Sequence, residues 1–438
     1  MGWLVAGLAV LFVAVGTAIA YATGGAAILT FIVSDNVRYL AALPQRILSQ
    51  IDVFAFLAMP LFILAGECMN RGGVTRALVD FALLLVGRLK GGLGHVNIMA
   101  SVFMAGISGS AVADAAAVSN TLVPAMREKG YSSLYAAAIT AASSIIGPII
   151  PPSIVMIFYG ALMNVSVAAL FAAGIIPGLL MAAALFAMNA VAAHRGNHPG
   201  GAGEARLPVG RTTFRAAPAM LLPLIIVGGI VIGLMTPTEA AGIAVIAAIL
   251  VTLIYVLLDG ATILGALREV GRQIVGALGR TVELTGAIFM IIFAAAVFGY
   301  LMAIEDVPGS IQSLVGDLGL DRLSYILFIN LLFLIAGMIM DISMALILFV
   351  PLLIPAAVQL GANPVHMGIV ICLNLTIGLV TPPFGGCLLV VSAISGLSYL
   401  RLAVAILPFV AVLIGILAVV VLVPDLSLFL PRYFDLMK

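Results

Sequence analysis

Two short stretches of this chain place oxygen donors in otherwise apolar surroundings. One is Gly106-Ile107-Ser108-Gly109-Ser110 with Asp114 just beyond it; the other is Gly337-Met338-Ile339-Met340-Asp341-Ile342-Ser343. Two further stretches put glycine and proline where a helix would otherwise run on: Gly147-Pro148-Ile149-Ile150-Pro151-Pro152 and Gly378-Leu379-Val380-Thr381-Pro382-Pro383. Proline lacks the backbone donor and clashes with the turn before it, so each of these reads as unwound backbone with free carbonyls. Such carbonyls, together with the hydroxyls of Ser108, Ser110, Ser343 and Thr381, are hard ligands suited to sodium. Half-helix ends add their dipoles, positive N-termini for carboxylates and negative C-termini for cations.

Each of these residues also has a plainer role open to it. A serine hydroxyl can bond a carbonyl of its own helix. Asp114 and Asp341, at or just past the two tips, either stabilise a cation or cap the helix that follows. Glu67 has Arg71 four residues on and reads as half of an ion pair, and Glu239, after Thr236-Pro237-Thr238, as a helix-start cap. Cys68, Cys372 and Cys387 sit in apolar runs and read as core residues. The histidines His95, His194, His198 and His366 have no ligand spacing, so no transition-metal site and no organic cofactor is expected. His194 and His198, in or beside the linker Gly196–Gly203, read as solvated.

The elements that position these residues follow from composition. Of 438 residues, 64% are hydrophobic and 8% charged, where a soluble domain carries roughly 25% charged residues. The chain is therefore an all-α, multi-pass membrane protein. With a net charge of +1, nothing points to nucleic acid. Met1–Tyr21 has no basic n-region and reads as a span rather than a signal peptide. Runs of span length are Trp3–Tyr21, Ile51–Met69, Val167–Ala193, Arg215–Leu234, Pro237–Leu258, Glu283–Leu301 and Leu402–Val423. The segment Ala26–Gln50 reads as a short second helix or an interfacial arm. Ser132–Asn164 and Pro364–Gly396 would each measure about 50 Å as one helix, so each is expected as two half-helices around its Gly/Pro break. Leu93–Met126 and Leu323–Leu360, interrupted midway, are expected as re-entrant hairpins.

Charge supplies orientation. The segments 70–91, 127–131, 194–215, 259–283 and 397–401 hold 14 of the 19 Lys and Arg, which marks them as cytoplasmic. The first hairpin has Arg88, Lys90, Arg127 and Lys129 at its base, the second only Arg322, so the two enter from opposite faces. Self-similarity agrees. When the chain is laid over itself so that Phe62 meets Phe293, the same shift without a gap brings Gly106 to Gly337, Pro124 to Pro355 and Gly130 to Gly361. It also brings Gly147 to Gly378, Pro151-Pro152 to Pro382-Pro383 and Pro177 to Pro408. The expected organisation is a first repeat over 1–193 (hairpin about 93–126, broken helix 132–164) and a linker with a connecting helix over 194–234. An inverted second repeat follows over 235–425 (hairpin about 323–360, broken helix 364–396), with a tail over 426–438. Inverted repeats with broken helices and mid-membrane sites are the architecture of secondary transporters. No covalent catalysis is expected.

The residues also carry a family resemblance. FAFLAMPLFILAGECMNRGGV (Phe54–Val74), AGISGSAVADAAAVSNTLVPAMREKGY (Ala105–Tyr131), AASSIIGPIIPPSIVMIFYG (Ala141–Gly160), MTPTEAAGIAV (Met235–Val245), GMIMDISMALILFVPLLIP (Gly337–Pro355) and LTIGLVTPPFGGCLLV (Leu375–Val390) resemble segments of the large membrane subunit of tripartite ATP-independent periplasmic (TRAP) transporters, of the C4-dicarboxylate and sialic-acid type. The resemblance spans nearly the whole chain; one small departure stands out at Ser119-Asn120, where small apolar residues are expected.

The resemblance implies an elevator, in which a transport domain moves against a scaffold in the bacterial inner membrane. It implies sodium-driven uptake of an organic acid delivered by a periplasmic binding protein, with a separate small four-helix membrane subunit. Carried onto this sequence, one sodium site would use Gly106, Ser108, Gly109, Ser110, Asp114, Gly147, Pro148, Pro151 and Pro152. The other would use Gly337, Asp341, Ser343, Gly378, Thr381 and Pro382. The substrate would lie between the tips, facing Ser108, Ser110, Ser153, Ser343 and Thr381. A stand-alone divalent-anion symporter is the nearest rival. An intramembrane serine protease would match Gly106-Ile107-Ser108-Gly109, but its best base, His366, has no evident orienting partner in the sequence and the repeat would go unexplained; a passive channel needs no inverted pair of breaks.

Overall fold

The computed structural model describes residues 7–8, 11–12, 17–196, 198–199 and 208–437. The expected span Trp3–Tyr21 lies largely outside them, as does most of the Gly-rich linker. Among the described residues the chain is helical, with eight helices long and apolar enough to cross a membrane.

The first hairpin is α5 (Gly92–Ser108) and α6 (Ala111–Glu128), and its broken helix is α7 (Ser133–Ser144) and α8 (Ile154–Met163). The second hairpin is α14 (Arg322–Ile339) and α15 (Ile342–Gln359), and its broken helix is α16 (Pro364–Gly378) and α17 (Gly386–Ser395). Both hairpins turn, and both long apolar runs break, where glycine and proline predict. The correspondence between the repeats is present in backbone geometry: Pro151-Pro152 and Pro382-Pro383 are both cis, and Gly130 and Gly361 have φ of +85° and +86°.

These elements form one group with α9 (Val167–Arg195) and α18 (Tyr399–Leu422), and they hold most of the large buried core. The C-terminal helix α19 (Asp425–Tyr433) lies on α9 and α16. A second group contains α3 (Ala58–Arg71), α10 (Val209–Val231), α11 (Pro237–Leu258) and α12 (Ile263–Ile304), with α3 lying along α11. Their outer faces expose Leu221, Leu224 and Ile246, apolar surface of the kind that lipid or a membrane partner covers. Between the groups run α4 (Val74–Val86), packed on both α5 and α10, and the contact of α12 with α15. α10 runs between the two similar halves, at the place where the sequence reading puts the extra crossing.

Several expectations change. The helix of the expected span Glu283–Leu301 starts well before it: α12 begins at Ile263 and is continuous for 42 residues, about 63 Å at 1.5 Å per residue, its polar stretch carrying the i,i+3 pairs Arg272–Glu269 and Arg280–Glu283, each at 2.7 Å. Arg215 lies inside α10 rather than at its start and pairs with Asp259 at 2.8 Å. Apolar content alone misses both boundaries, since helical hydrogen bonding continues through charged turns. The segment Ala26–Gln50 is divided among three elements. α1 (Ile19–Val33) runs on past Ala26, a 3-10 segment covers Val37–Ala42, and α2 (Leu43–Ile51) is a short amphipathic helix. Glu67 and Arg71 are paired at 3.5 Å, and Thr236 and Glu239 form a reciprocal capping box.

Candidate cation and substrate site at the hairpin tips

At the first tip, Gly109 adopts φ +57°, a left-handed conformation that glycine takes without a Cβ penalty. The turn lets Ser110 start α6 as its N-cap, its hydroxyl accepting from the Ala113 amide at 3.4 Å. At the second tip, in the position equivalent to Ser110, Asp341 caps α15, its carboxylate accepting from the Ser343 amide at 2.8 Å. The capping role thus falls to Ser110 and Asp341. Asp114, in the first turn of α6, is left for something else.

Asp114 is completely buried. Its Oδ1 accepts the Ser108 hydroxyl at 2.5 Å, while Oδ2 has no hydrogen-bond partner. That free oxygen faces the first break: a Cβ built on Gly147 would lie 2.5 Å from it. The tip touches the break again at Gly109, where a Cβ would come within 2.8 Å of the Pro152 carbonyl. The break is held by Ser153, which donates to the Pro148 carbonyl at 2.5 Å and caps α8. Gly106 faces outward from this contact, against Pro223 of α10. Ser108, Gly109, Asp114, Gly147, Pro148, Pro152 and Ser153 are therefore brought together.

The second pair is built differently. A Cβ on Gly378 would lie 2.5 Å from the Gly337 carbonyl carbon, so hairpin arm and broken helix touch backbone to backbone. The Gly385 amide donates to the Met338 carbonyl at 3.3 Å, fastening break to tip. Thr381 donates to the Ile377 carbonyl at 2.7 Å, the self-bonded state open to any helical hydroxyl. Asp341 is exposed, and Ala345 stands where the first repeat has Asp114. The repeats interlock: α6 packs on α17 and α15 on α8, and the Tyr159 hydroxyl donates to the Pro364 carbonyl at 2.8 Å. Ser119 is buried with its hydroxyl unbonded, and Asn120 bonds the Ala116 carbonyl of its own helix at 2.9 Å, so neither side chain adds a hydrogen bond between elements.

Sequence reasoning missed the polar seams that fix each hairpin to its broken helix. Asn97 of α5 donates to Thr140 Oγ1 at 2.6 Å and accepts from Ser143 at 2.8 Å, and Ser101 donates to Ser143 at 3.1 Å. In the second repeat Asn374 of α16 donates to the carbonyl and the side-chain oxygen of Asn330, each at 2.7 Å. Ser143 and Asn374 occupy equivalent positions of the two repeats, a signal the sequence carried, hidden because the residue types differ.

The histidines need two corrections. His198 is not solvated: its ring lies 4.3 Å from that of Tyr135 and 5.3 Å from that of Tyr131. Its neighbour Pro199 accepts from the Gly91 amide and the Tyr131 hydroxyl, which seats the start of the linker on the base of the first hairpin. His366 does have a partner, the Ser427 hydroxyl at 2.8 Å, on a helix remote in sequence. No three His, Cys, Asp or Glu side chains converge as metal ligands among the described residues.

The model of the tripartite ATP-independent periplasmic transporter DctM component matches residues 5–426. The sialic acid TRAP transporter large permease protein SiaM of Vibrio cholerae is 37% identical over 406 residues, 93% of each chain. The isethionate TRAP transporter permease protein DctMQ of Oleidesulfovibrio alaskensis is 35% identical over 96% of this chain and 64% of its own length. Among solved structures, the Alcanivorax borkumensis YdaH transporter superposes with a TM-score of 0.66 at 15% identity, covering 92% of this chain and 90% of its own, a likeness of fold. With paired hairpins and broken helices in place and the match running nearly end to end, this chain belongs to the TRAP transporter large permease family.

Proposed function

We propose that this chain is the translocating subunit of a sodium-coupled organic-acid uptake system of the bacterial inner membrane. A periplasmic binding protein delivers the acid, and a small four-helix membrane subunit completes the complex. The observation that carries the reading is the repeated contact between tip and break, Asp114 against Gly147 and Gly337 against Gly378. Buried backbone oxygens and an unpartnered carboxylate oxygen are donors for a hard monovalent cation. An ionised carboxylate in a membrane interior demands a compensating charge. Sodium orders the tips, and ordered tips bind the acid through hydroxyls and helix N-termini, so coupling is a free energy shared between sites. The group holding hairpins and broken helices moves as the transport domain against the scaffold of α3 and α10–α12. The relatives' names support an acidic substrate, and the extra third of DctMQ supports a second membrane component.

The test is uptake into proteoliposomes containing the membrane complex, with an imposed sodium gradient and the cognate binding protein loaded with a candidate acid. Uptake requiring both sodium and binding protein supports the proposal. Uptake requiring sodium alone makes the chain a stand-alone symporter, and uptake indifferent to sodium refutes the coupling.

A further inference from the structure

A second site stands apart from the tips, where α1, α2 and the end of α12 meet. Phe31, Tyr39 and Tyr300 form a three-ring cluster with centroids 6.0–6.1 Å apart, seated on a small core of its own. Two guanidiniums lie on it: Arg38 is 4.9 Å from the centre of the Tyr39 ring and Arg46 is 5.0 Å from that of Tyr300. Arg38 also donates to the Tyr39 hydroxyl at 3.3 Å. Both arginines are exposed, and neither forms an ion pair among the described residues. Stacking on an aromatic face holds the guanidinium plane while leaving its N–H edge free to donate. One such fork lies on each of two rings whose centroids are 6.1 Å apart, and guanidinium forks are suited to a phosphate oxyanion.

The surroundings select its source. Val33 and Leu48 are 67% and 66% exposed beside the arginines, and α2 is amphipathic. The 3-10 segment brings Arg38 and Tyr39 and α2 brings Arg46 and Leu48, the mix of basic, aromatic and apolar side chains found on segments that lie in the headgroup region. By the charge-derived orientation this is the non-cytoplasmic face, which holds only five of the 19 basic residues. Two exposed arginines there, with no ion pair among the described residues, run against the general bias.

We infer that Arg38 and Arg46, stacked on Tyr39 and Tyr300, bind the phosphate of an anionic phospholipid in the outer leaflet of the membrane, with acyl chains over Val33 and Leu48. The lipid pins the α1–α2 arm to the end of α12. This inference does not depend on the coupling ion or on the transported acid.

The test is native mass spectrometry of the membrane complex from nanodiscs of phosphatidylcholine with a rising fraction of phosphatidylglycerol. The wild type should retain phosphatidylglycerol at about a tenfold lower fraction than Arg38→Gln/Arg46→Gln. Arg46→Lys, which keeps charge and stem but loses the fork, should fall between, and it serves as the reference if the double variant does not hold the arm. Equal retention by all three proteins overturns the site. Displacement of the lipid by millimolar inorganic phosphate would make it a plain anion site. Loss of binding-protein-dependent uptake with lipid retention unchanged would assign the arginines to the protein partner; either result also overturns the inference.

Discussion

Ser108 donates its hydroxyl proton to Asp114, and the other oxygen of that carboxylate looks directly onto the α-carbon of Gly147. One residue from each arm of the hairpin and one of the break thus share a single buried point. Adding a methyl group to Gly147 should break it. Overpacking of a tight interior costs about 1–3 kcal/mol, so Gly147→Ala should lower sodium-dependent uptake about tenfold or more. Gly242→Ala, where nothing lies within 4 Å, should behave as wild type in the same proteoliposomes. Equal uptake by the two variants would show that the close approach has no functional weight.

Ser110 and Asp341 cap equivalent helices at opposite tips. Alanine at either should cost about 1 kcal/mol of local helix stability. It should also raise the sodium concentration for half-maximal uptake while leaving complex assembly intact on size-exclusion chromatography. Asp341→Asn keeps a cap and removes the charge, and so separates the two roles. Unchanged sodium activation in both alanine variants would sink the idea that the tips are ordered by the ion.

The polar seams should matter for stability more than for coupling. Asn97→Ala removes one partner from each of Thr140 and Ser143, which keep bonds to their own helix, and Asn374→Ala strands the side-chain oxygen of Asn330. A buried polar group stranded in this way costs about 1–3 kcal/mol. Thermal unfolding in detergent should show a lower midpoint for each variant, with sodium affinity little changed in the protein that remains folded. A shift in sodium affinity with an unaltered midpoint would place these residues in the site.

His198 gives a pH dependence with a definite sign. Burial between Tyr131 and Tyr135 pushes its imidazole below the ordinary histidine range. Neutral His198 therefore favours the docked linker, and that contribution is present above the unperturbed value of about 6.5. It is lost as pH falls from there through the depressed folded value. Hydrogen exchange should show protection of the Gly91 and His198 amides, bonded to Pro199 and Ala193, weakening between pH 8 and pH 5. His198→Phe should retain the ring contact and lose the pH effect. Identical pH profiles would show that docking does not depend on this ring's charge.

The lessons for reading such a chain lie in particular residues. Glycine and proline were legible because each dictates backbone geometry wherever it stands: Gly109 turns the first tip, and the two Pro-Pro breaks interrupt their helices where the sequence says. Span ends were legible only where a cap or glycine marked them. Thr236 and Glu239 mark the start of α11, but nothing in hydropathy shows that α12 runs unbroken from Ile263 to Ile304.

By itself the sequence determined that this chain lives in a membrane, that its two halves repeat one another at a fixed offset, and where each half bends. These follow from local chemistry: apolar content, missing backbone donors, a cap or a breaker at a fixed position. Only the tertiary structure decided what each donor faces. Asp114 and Asp341 read alike along the chain, yet one is sealed against Gly147 and the other is exposed at a cap. His198 and His366 find partners far away in sequence, and Arg46 lies over the ring of Tyr300 from a different helix. Burial, pairing and stacking depend on which surfaces come together, and no residue carries that information alone.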